Sequence, residues 1–254
     1  MTQFNSCQWR KFPVIFLLVL NLVSQLCYAA VDAMSLLKEA DQARGGVAKG
    51  VQWQVKLDST EDGEVTSTTY IVRAKASNAH VKVIEPARSK NELMIFNDRT
   101  IWFFKPSLRK PVAISARQKL SGQAANGDIA STNYARDYSG TIVGEEKVDG
   151  EDCYLLELKS IAESSSYDGI RYWISKKRKL GLKSEFLSLQ GKTMKIATIE
   201  YGNTIAVDGK KYPFVSMLKI MDAKNGKNFS VMTYSHVKED RPADSLFNVN
   251  NLQR

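Results

Sequence analysis

Side chains able to do chemistry are few in this chain and widely scattered. The two histidines, His80 and His236, fall in separate strand-like segments, and neither sits in a recognisable ligand or catalytic set. A catalytic histidine needs a partner to fix its tautomer and move its proton, so both read as surface or rim residues. Ser-x-x-Lys occurs twice, at Ser35–Lys38 and Ser216–Lys219, without the companion motifs that would give a serine nucleophile its base. The Gly191-Lys192-Thr193 triplet has Phe186 where a phosphate loop needs its first glycine, so it reads as a hairpin turn. Cys153 alternates with Leu155 in an apolar strand and has no nearby base to lower its pKa, which makes it an inert core residue. No triad and no metal-ligand set assembles from these residues. The expectation is a protein that is not an enzyme and uses neither cofactor nor metal.

One polar stretch stands apart. "GDIASTNYARDY", Gly127 to Tyr138, breaks an otherwise strand-like pattern and lies in a connection from Ala116 to Ser139. That connection exceeds the roughly 12–15 residues beyond which loops are usually lids or hold structure of their own. Asp128 is placed to cap a short helix running toward Tyr134, with Ile129 and Tyr134 against the sheet and Arg136 and Asp137 in water. Asp128 and Asn133 would hold the shape by bonding the backbone. Tyr134 and Tyr138 would pack on a cavity mouth with their hydroxyls wet. A helical lid across one mouth of the sheet, carrying Asp128, Asn133, Tyr134, Asp137 and Tyr138, is the simplest account, and a fixed plug is the alternative.

The elements that must position it are a helix and a long strand meander. Asp32 caps "AMSLLKEADQAR", whose Leu36, Leu37, Ala40 and Ala43 share one face, and Gly45-Gly46 ends the helix. Beyond it the hydrophobic period becomes two. Asp62-Gly63, Asn97-Asp98, Asp149-Gly150, Asp208-Gly209 and Asn225-Gly226 punctuate the strands as hairpin turns. About eleven strands between Val51 and Val237 exceed the usual sheet size, so the sheet must curl. The fold class is mainly β, a strongly curved antiparallel sheet or unclosed barrel in one domain.

Segments such as "ELMIF", "TIWFF" and "FVSMLKIM" are apolar on both faces and so must be covered on both sides. Ordinary helix and loop packing would do this. So would an apolar cavity on the inner face, with Met94, Phe96, Trp102, Phe104, Met194, Phe214 and Leu218 as candidate lining, and Trp102 and Phe104 as the inward parity of their strand. Six of the seven methionines lie after the leader and suit an adaptable lining or a plain core. The basic run Lys176, Lys177, Arg178, Lys179 reads as a charged turn or as a contact with anionic lipid or a membrane partner.

The first residues describe an export signal. Arg10 and Lys11 precede the apolar run Phe12–Val23, and "SQLCYAA" supplies small residues for cleavage. Residues 1–29 are expected to leave, and residues 30–254 to form the mature single domain in the periplasm. Cys27 could instead begin a lipidated chain, but Leu26 stands where a small residue is wanted. The formal charge of +9 favours anionic surfaces, and an exported protein meets phospholipid sooner than nucleic acid. With Cys7 and Cys27 in the leader, Cys153 has no intramolecular partner.

Taken together, "DQARGG" after a single helix, the strand "TIWFFKPSLRKPVAIS", the segment "GDIASTNYARDY" and the closing "PADSLFNVNNL" resemble the LolA-like outer-membrane lipoprotein-sorting proteins. The resemblance implies an unclosed antiparallel β-barrel with a helical lid over an apolar cavity, and a tail pinned by Phe247 and Leu252. It further implies a monomeric periplasmic carrier for acyl chains of a lipoprotein or lipid, moving them toward the outer membrane without a cofactor, with an inner- or outer-membrane protein as partner. Some related proteins serve instead as envelope sensors or as accessories of membrane exporters.

Overall fold

The computed structural model describes residues 1–2, 31–130 and 133–253. The leader, its cleavage site, Cys7 and Cys27 lie outside those residues, as do Ser131 and Thr132 of the polar stretch.

Helix α1 (Ala33–Gln42) begins as its sequence demands. Asp32 accepts from the backbone N–H groups of Met34 (3.3 Å) and Ser35 (2.9 Å). Leu36, Leu37 and Ala40 are buried on one face, and Gly46 N–H closes the end on Asp41 C=O at 2.9 Å. A meander follows through β1 (Val51–Glu61), β2 (Glu64–Lys75), β3 (Asn78–Glu85), β4 (Leu93–Asn97), β5 (Thr100–Phe104) and β6 (Val112–Ile114). After it come the short ladder β7 (Lys119–Ser121) with β8 (Ala124–Ala125), a 3-10 turn at Asn126–Ile129, and α2 (Tyr134–Asp137). The second meander is β9 (Tyr138–Val148), β10 (Glu151–Ser160), β11 (Gly169–Ser175), β12 (Gly181–Leu187) and β13 (Thr193–Glu200). A separate hairpin, β14 (Asn203–Val207) with β15 (Lys210–Phe214), precedes β16 (Met217–Asp222) and β17 (Phe229–Glu239).

Thirteen of these strands form one antiparallel sheet in the order β6-β5-β4-β3-β2-β1-β17-β16-β13-β12-β11-β10-β9. The two meanders meet where β1 pairs with β17. Edge strands β6 and β9 share no ladder among the described residues, so the barrel is open. The seventeen strands outnumber the eleven or so expected, in part because β6, β7 and β8 span only two or three residues each, too few to show a period-two pattern. Hairpin chemistry is as expected: Asp62, Asp98, Asp149 and Asp208 each hold a positive φ near 50° at their turns.

Alternation sends one face of the sheet inward. Trp53, Val55 and Leu57 of β1 continue through Tyr70 and Val72 of β2, Met232 of β17, Ile220 of β16 and Phe186 of β12 into a single core. Burial of that continuous face is the main term holding the sheet curled. The outer face is covered locally. Ile95 is fully buried on the side opposite Met94 and Phe96, where a 3-10 turn at Asp244–Phe247 packs on β3 and β4. Phe247 is buried there, and Asn97 Nδ2 donates to its carbonyl at 3.1 Å, while Leu252 is half-buried.

Candidate functional site

The segment from Ser115 to Ala130 follows edge strand β6 into the hollow of the sheet, and Gln123 to Ala130 are all buried. It is held on both sides. Ser230 Oγ of β17 donates to Ser121 C=O (3.1 Å), accepts from Gln123 N–H (2.8 Å) and meets Ser59 Oγ of β1 at 2.8 Å. From β13, Lys195 Nζ donates to Gln123 C=O at 2.6 Å. Gly122 permits this seat: its φ is +52°, and a Cβ there would stand 2.6 Å from Ser230 Oγ and 2.7 Å from Ser59 Cβ.

Asp128 does not cap the helix expected to reach Tyr134. Instead its carboxylate accepts from Ala125 N–H and from Tyr167 Oη, both at 2.8 Å, inside the 3-10 turn. Burial raises its pKa, against the pull of the Ala125 N–H, the Lys195 charge and the Tyr167 hydroxyl. Asn133 precedes α2 without capping it; its side chain donates to Ala76 C=O at 3.3 Å. The tyrosines are also drier than expected. Tyr138 Oη donates to Tyr167 C=O at 3.1 Å and accepts from its N–H at 3.2 Å, and both Tyr134 and Tyr138 are buried. Asp137 is buried rather than wet, gripped by Arg136 through two bonds of 2.8 and 2.9 Å, with Arg99 at 3.6 Å. The polar residues therefore point into the protein because each has an internal partner there.

Helix α1 and the turn that ends it contribute two residues that the sequence reading overlooked, Asp41 and Arg44. Asp41 Oδ2 accepts from Ala135 N–H of α2 at 3.0 Å, while its Oδ1 has no partner. Burial pushes its pKa up to about 7, opposed by the Ala135 N–H and the Arg44 charge. Arg44 is buried with its guanidinium 4.9 Å from the centre of the Tyr134 ring. Tyr134 stands edge-on to Tyr138 and Tyr172, at 5.5 and 5.4 Å. Gly181 lets Tyr172 in, since a Cβ there would fall 1.8 Å from the Tyr172 hydroxyl. The spacing held the signal: Leu37, Ala40, Asp41 and Arg44 lie on one helical face, so an acid and a base share the apolar stripe.

One cavity of about 350 Å³ lies beside the segment on the first-meander side. Tyr70, Val81, Val83, Met94 and Phe103 make its apolar wall, Leu120 and Asn126 of the crossing segment close it, and Thr68, Ser89 and Glu92 add polar groups. Of the seven expected lining residues only Met94 lines it. Phe96 is a buried core neighbour on the same face of β4. Trp102 and Phe104 take the parity opposite to the one expected, since Ile101 enters the core and Phe103 lines the cavity. Cross-strand pairing decides this: Met94 opposes Phe103, so the two share a face. Phe214 and Leu218 are buried in the solid part of the core, Phe214 with its ring 5.7 Å from Trp53. Met194 is 39% exposed at the surface.

The basic run forms a turn in which two of its four charges, Lys176 and Arg178, have carboxylate partners. Lys176 pairs with Glu145, Arg178 Nε donates to Glu151 at 2.9 Å, and Lys176 and Lys179 lie 5.0 and 5.5 Å from the Tyr154 ring centre. Cys153 is a free, buried thiol whose pKa is raised by burial. Among the described residues no group of His, Cys, Asp and Glu could hold a metal ion, and no helix is long and apolar enough to cross a membrane.

An open antiparallel half-barrel with a crossing segment in its hollow and an apolar cavity beside it defines the class of LolA-like folds. A LolA superfamily protein from Nitrosomonas europaea is 31% identical, with a TM-score of 0.77 over 87% of this chain and 100% of that one. A family model described as an uncharacterized protein matches residues 75–254. This chain belongs to the LolA superfamily. The fold also matches a DUF1329 family protein from Desulfovibrio piger (19% identity, TM-score 0.72, 87% of this chain and 97% of that one). An outer membrane lipoprotein-sorting protein domain from Vibrio parahaemolyticus matches similarly (18% identity, TM-score 0.72, 87% and 98%). No curated protein matches the sequence.

Proposed function

We propose that this protein is an exported carrier that holds the acyl chain of a lipoprotein or lipid and passes it toward the outer membrane. The observation that carries the proposal is the cavity of about 350 Å³ walled by Tyr70, Val81, Val83, Met94 and Phe103. Its size falls at the lower end of ligand sites, roughly 300–1,000 Å³, which suits one chain rather than several. Each methylene taken from water into it contributes about 0.8 kcal/mol. The driving force is then burial alone, and release requires an acceptor with a comparable apolar site. The scattered histidines and the buried inert thiol offer a ligand no competing chemistry, and this cavity opens onto the core residues Tyr70, Val81, Val83 and Met94.

The leader supports export: Arg10, Lys11, the apolar run to Val23 and Ala29-Ala30 make a cleavable signal, so residues 30–254 are the working domain. The test is native mass spectrometry of protein purified from the periplasm. The expected result is a mature chain starting near Ala30 with one bound acyl species. Protein that is always empty, and that gains no mass from added lipid, would overturn the reading.

A further inference from the structure

The charge of the cavity is opposite to that of the chain. The protein carries a net +9, yet no lysine or arginine lines the cavity, and its one ionisable carboxylate is Glu92. Lys82 does not contribute, because Val81 and Val83 on either side of it face inward and it alternates to the other face of β3. Glu92 is fixed in place by its backbone: its N–H donates to Ser89 C=O (3.0 Å) and its C=O accepts from Val83 N–H (2.9 Å). Glu92 is half-buried as a residue and makes no ion pair among the described residues. The charge is felt inside, since burial raises the Tyr70 phenol to about 12 with Glu92 adding to the rise. Ser89 and Thr68 stand in the same lining, so hydroxyls accompany the carboxylate.

We infer that Glu92, with Thr68 and Ser89, selects the polar end of the bound chain, taking an uncharged or cationic head that donates hydrogen bonds and rejecting a free carboxylate or phosphate. This rests on the carrier reading and names its ligand class: amide-, hydroxyl- or amine-headed acyl and alkyl chains. An unpaired carboxylate beside an apolar wall attracts a donor or cation and repels an anion more strongly than it would in bulk water. Discrimination then arises from an unfavourable contact with the wrong ligand as much as from a good contact with the right one.

The experiment uses the full mature protein at neutral pH, with the uncharged dye N-phenyl-1-naphthylamine displaced by dodecylamine, lauramide or laurate. Dodecylamine and lauramide should displace it at concentrations lower than laurate by about tenfold or more, the scale of one screened charge at short range. Glu92→Gln should bring laurate level with lauramide, and Glu92→Lys should reverse the order of laurate and dodecylamine. Circular dichroism identifies any variant that fails to fold, and the wild-type order stands as a test without the variants. Equal displacement by all three chains on the wild-type protein, with dye binding intact, would overturn the selection and leave the carrier standing. Failure of the dye and of every chain to bind would remove the carrier reading, and this inference with it.

Discussion

The two halves of the same sheet are filled differently. In the second meander, Tyr167 stacks on Phe186 at 3.9 Å, and beside the seam Phe214 of the separate hairpin meets Trp53, so rings fill this part of the hollow, while a pocket of about 470 Å³ opens among β9–β12. In the first meander the wall mixes the rings of Tyr70 and Phe103 with the smaller or more flexible Val81, Val83 and Met94, facing a cavity of about 350 Å³. Strand pairing is continuous across both, so the side chains that the loops and the hairpin add at inward positions decide where the hollow is filled. A curved sheet supplies the hollow, and the choice of aromatic or aliphatic residues at inward positions sets where a ligand fits.

The largest effect is expected from the solid half. Phe214→Ala should cost about 3–5 kcal/mol, because a close-packed ring leaves a void its neighbours cannot fill. Met94→Ala should cost about 2 kcal/mol, at the low end of such changes, because its side chain already borders open space. Urea denaturation of both variants checks the comparison, and equal costs would break it.

A second contrast is electrostatic. Asp41, buried between α1 and α2, has its folded pKa raised to about 7 by burial, above an unfolded value near 3.8. Below about pH 4 both states hold the proton, and the contribution to stability is complete. As pH rises toward 7 the folded state keeps a proton the unfolded chain has lost, so stability falls. The decline between about pH 4 and pH 7 should flatten in Asp41→Asn, which retains an acceptor for Ala135 N–H. A wild-type stability that rises over this range, with no change in the variant, would refute the assignment.

The smallest effect sharpens the distinction between plug and lid. Thr66 Oγ1 of β2 lies 3.0 Å from Ser121 Oγ of the crossing segment. A disulfide between Thr66→Cys and Ser121→Cys should leave dye uptake unchanged, since that segment is already anchored from β1, β13 and β17. Uptake lost on oxidation and restored on reduction would mean that the segment must move.

Much of the fold was legible because backbone rules are local. The Asp32 cap and the Asp-Gly turns follow from single residues whose conformational preferences survive any context. The site was less legible because strand parity is settled by pairing at a distance. Trp102 and Phe103 are both large aromatic residues that a sheet can bury, and the Met94–Phe103 register turns Phe103 to the cavity. The polar stretch misled for the same reason. Asp128 reads as a local cap until Tyr167, 39 residues away, donates to it, and Asp137 reads as wet until Arg99 and Arg136 converge on it. Asp41 and Arg44 were visible on the apolar face of α1, and polar residues there were the clue to a buried junction.

The central claim is that the cavity of the first meander holds the acyl chain. Photolabelling with a dodecylamine carrying a terminal diazirine, followed by peptide mapping, tests it most directly. Label should fall in the peptides of β2–β5 that carry Tyr70, Val81, Met94 and Phe103, and unlabelled dodecylamine should compete it away. Competable label confined to β10–β13, or label that no competitor reduces, would contradict the account.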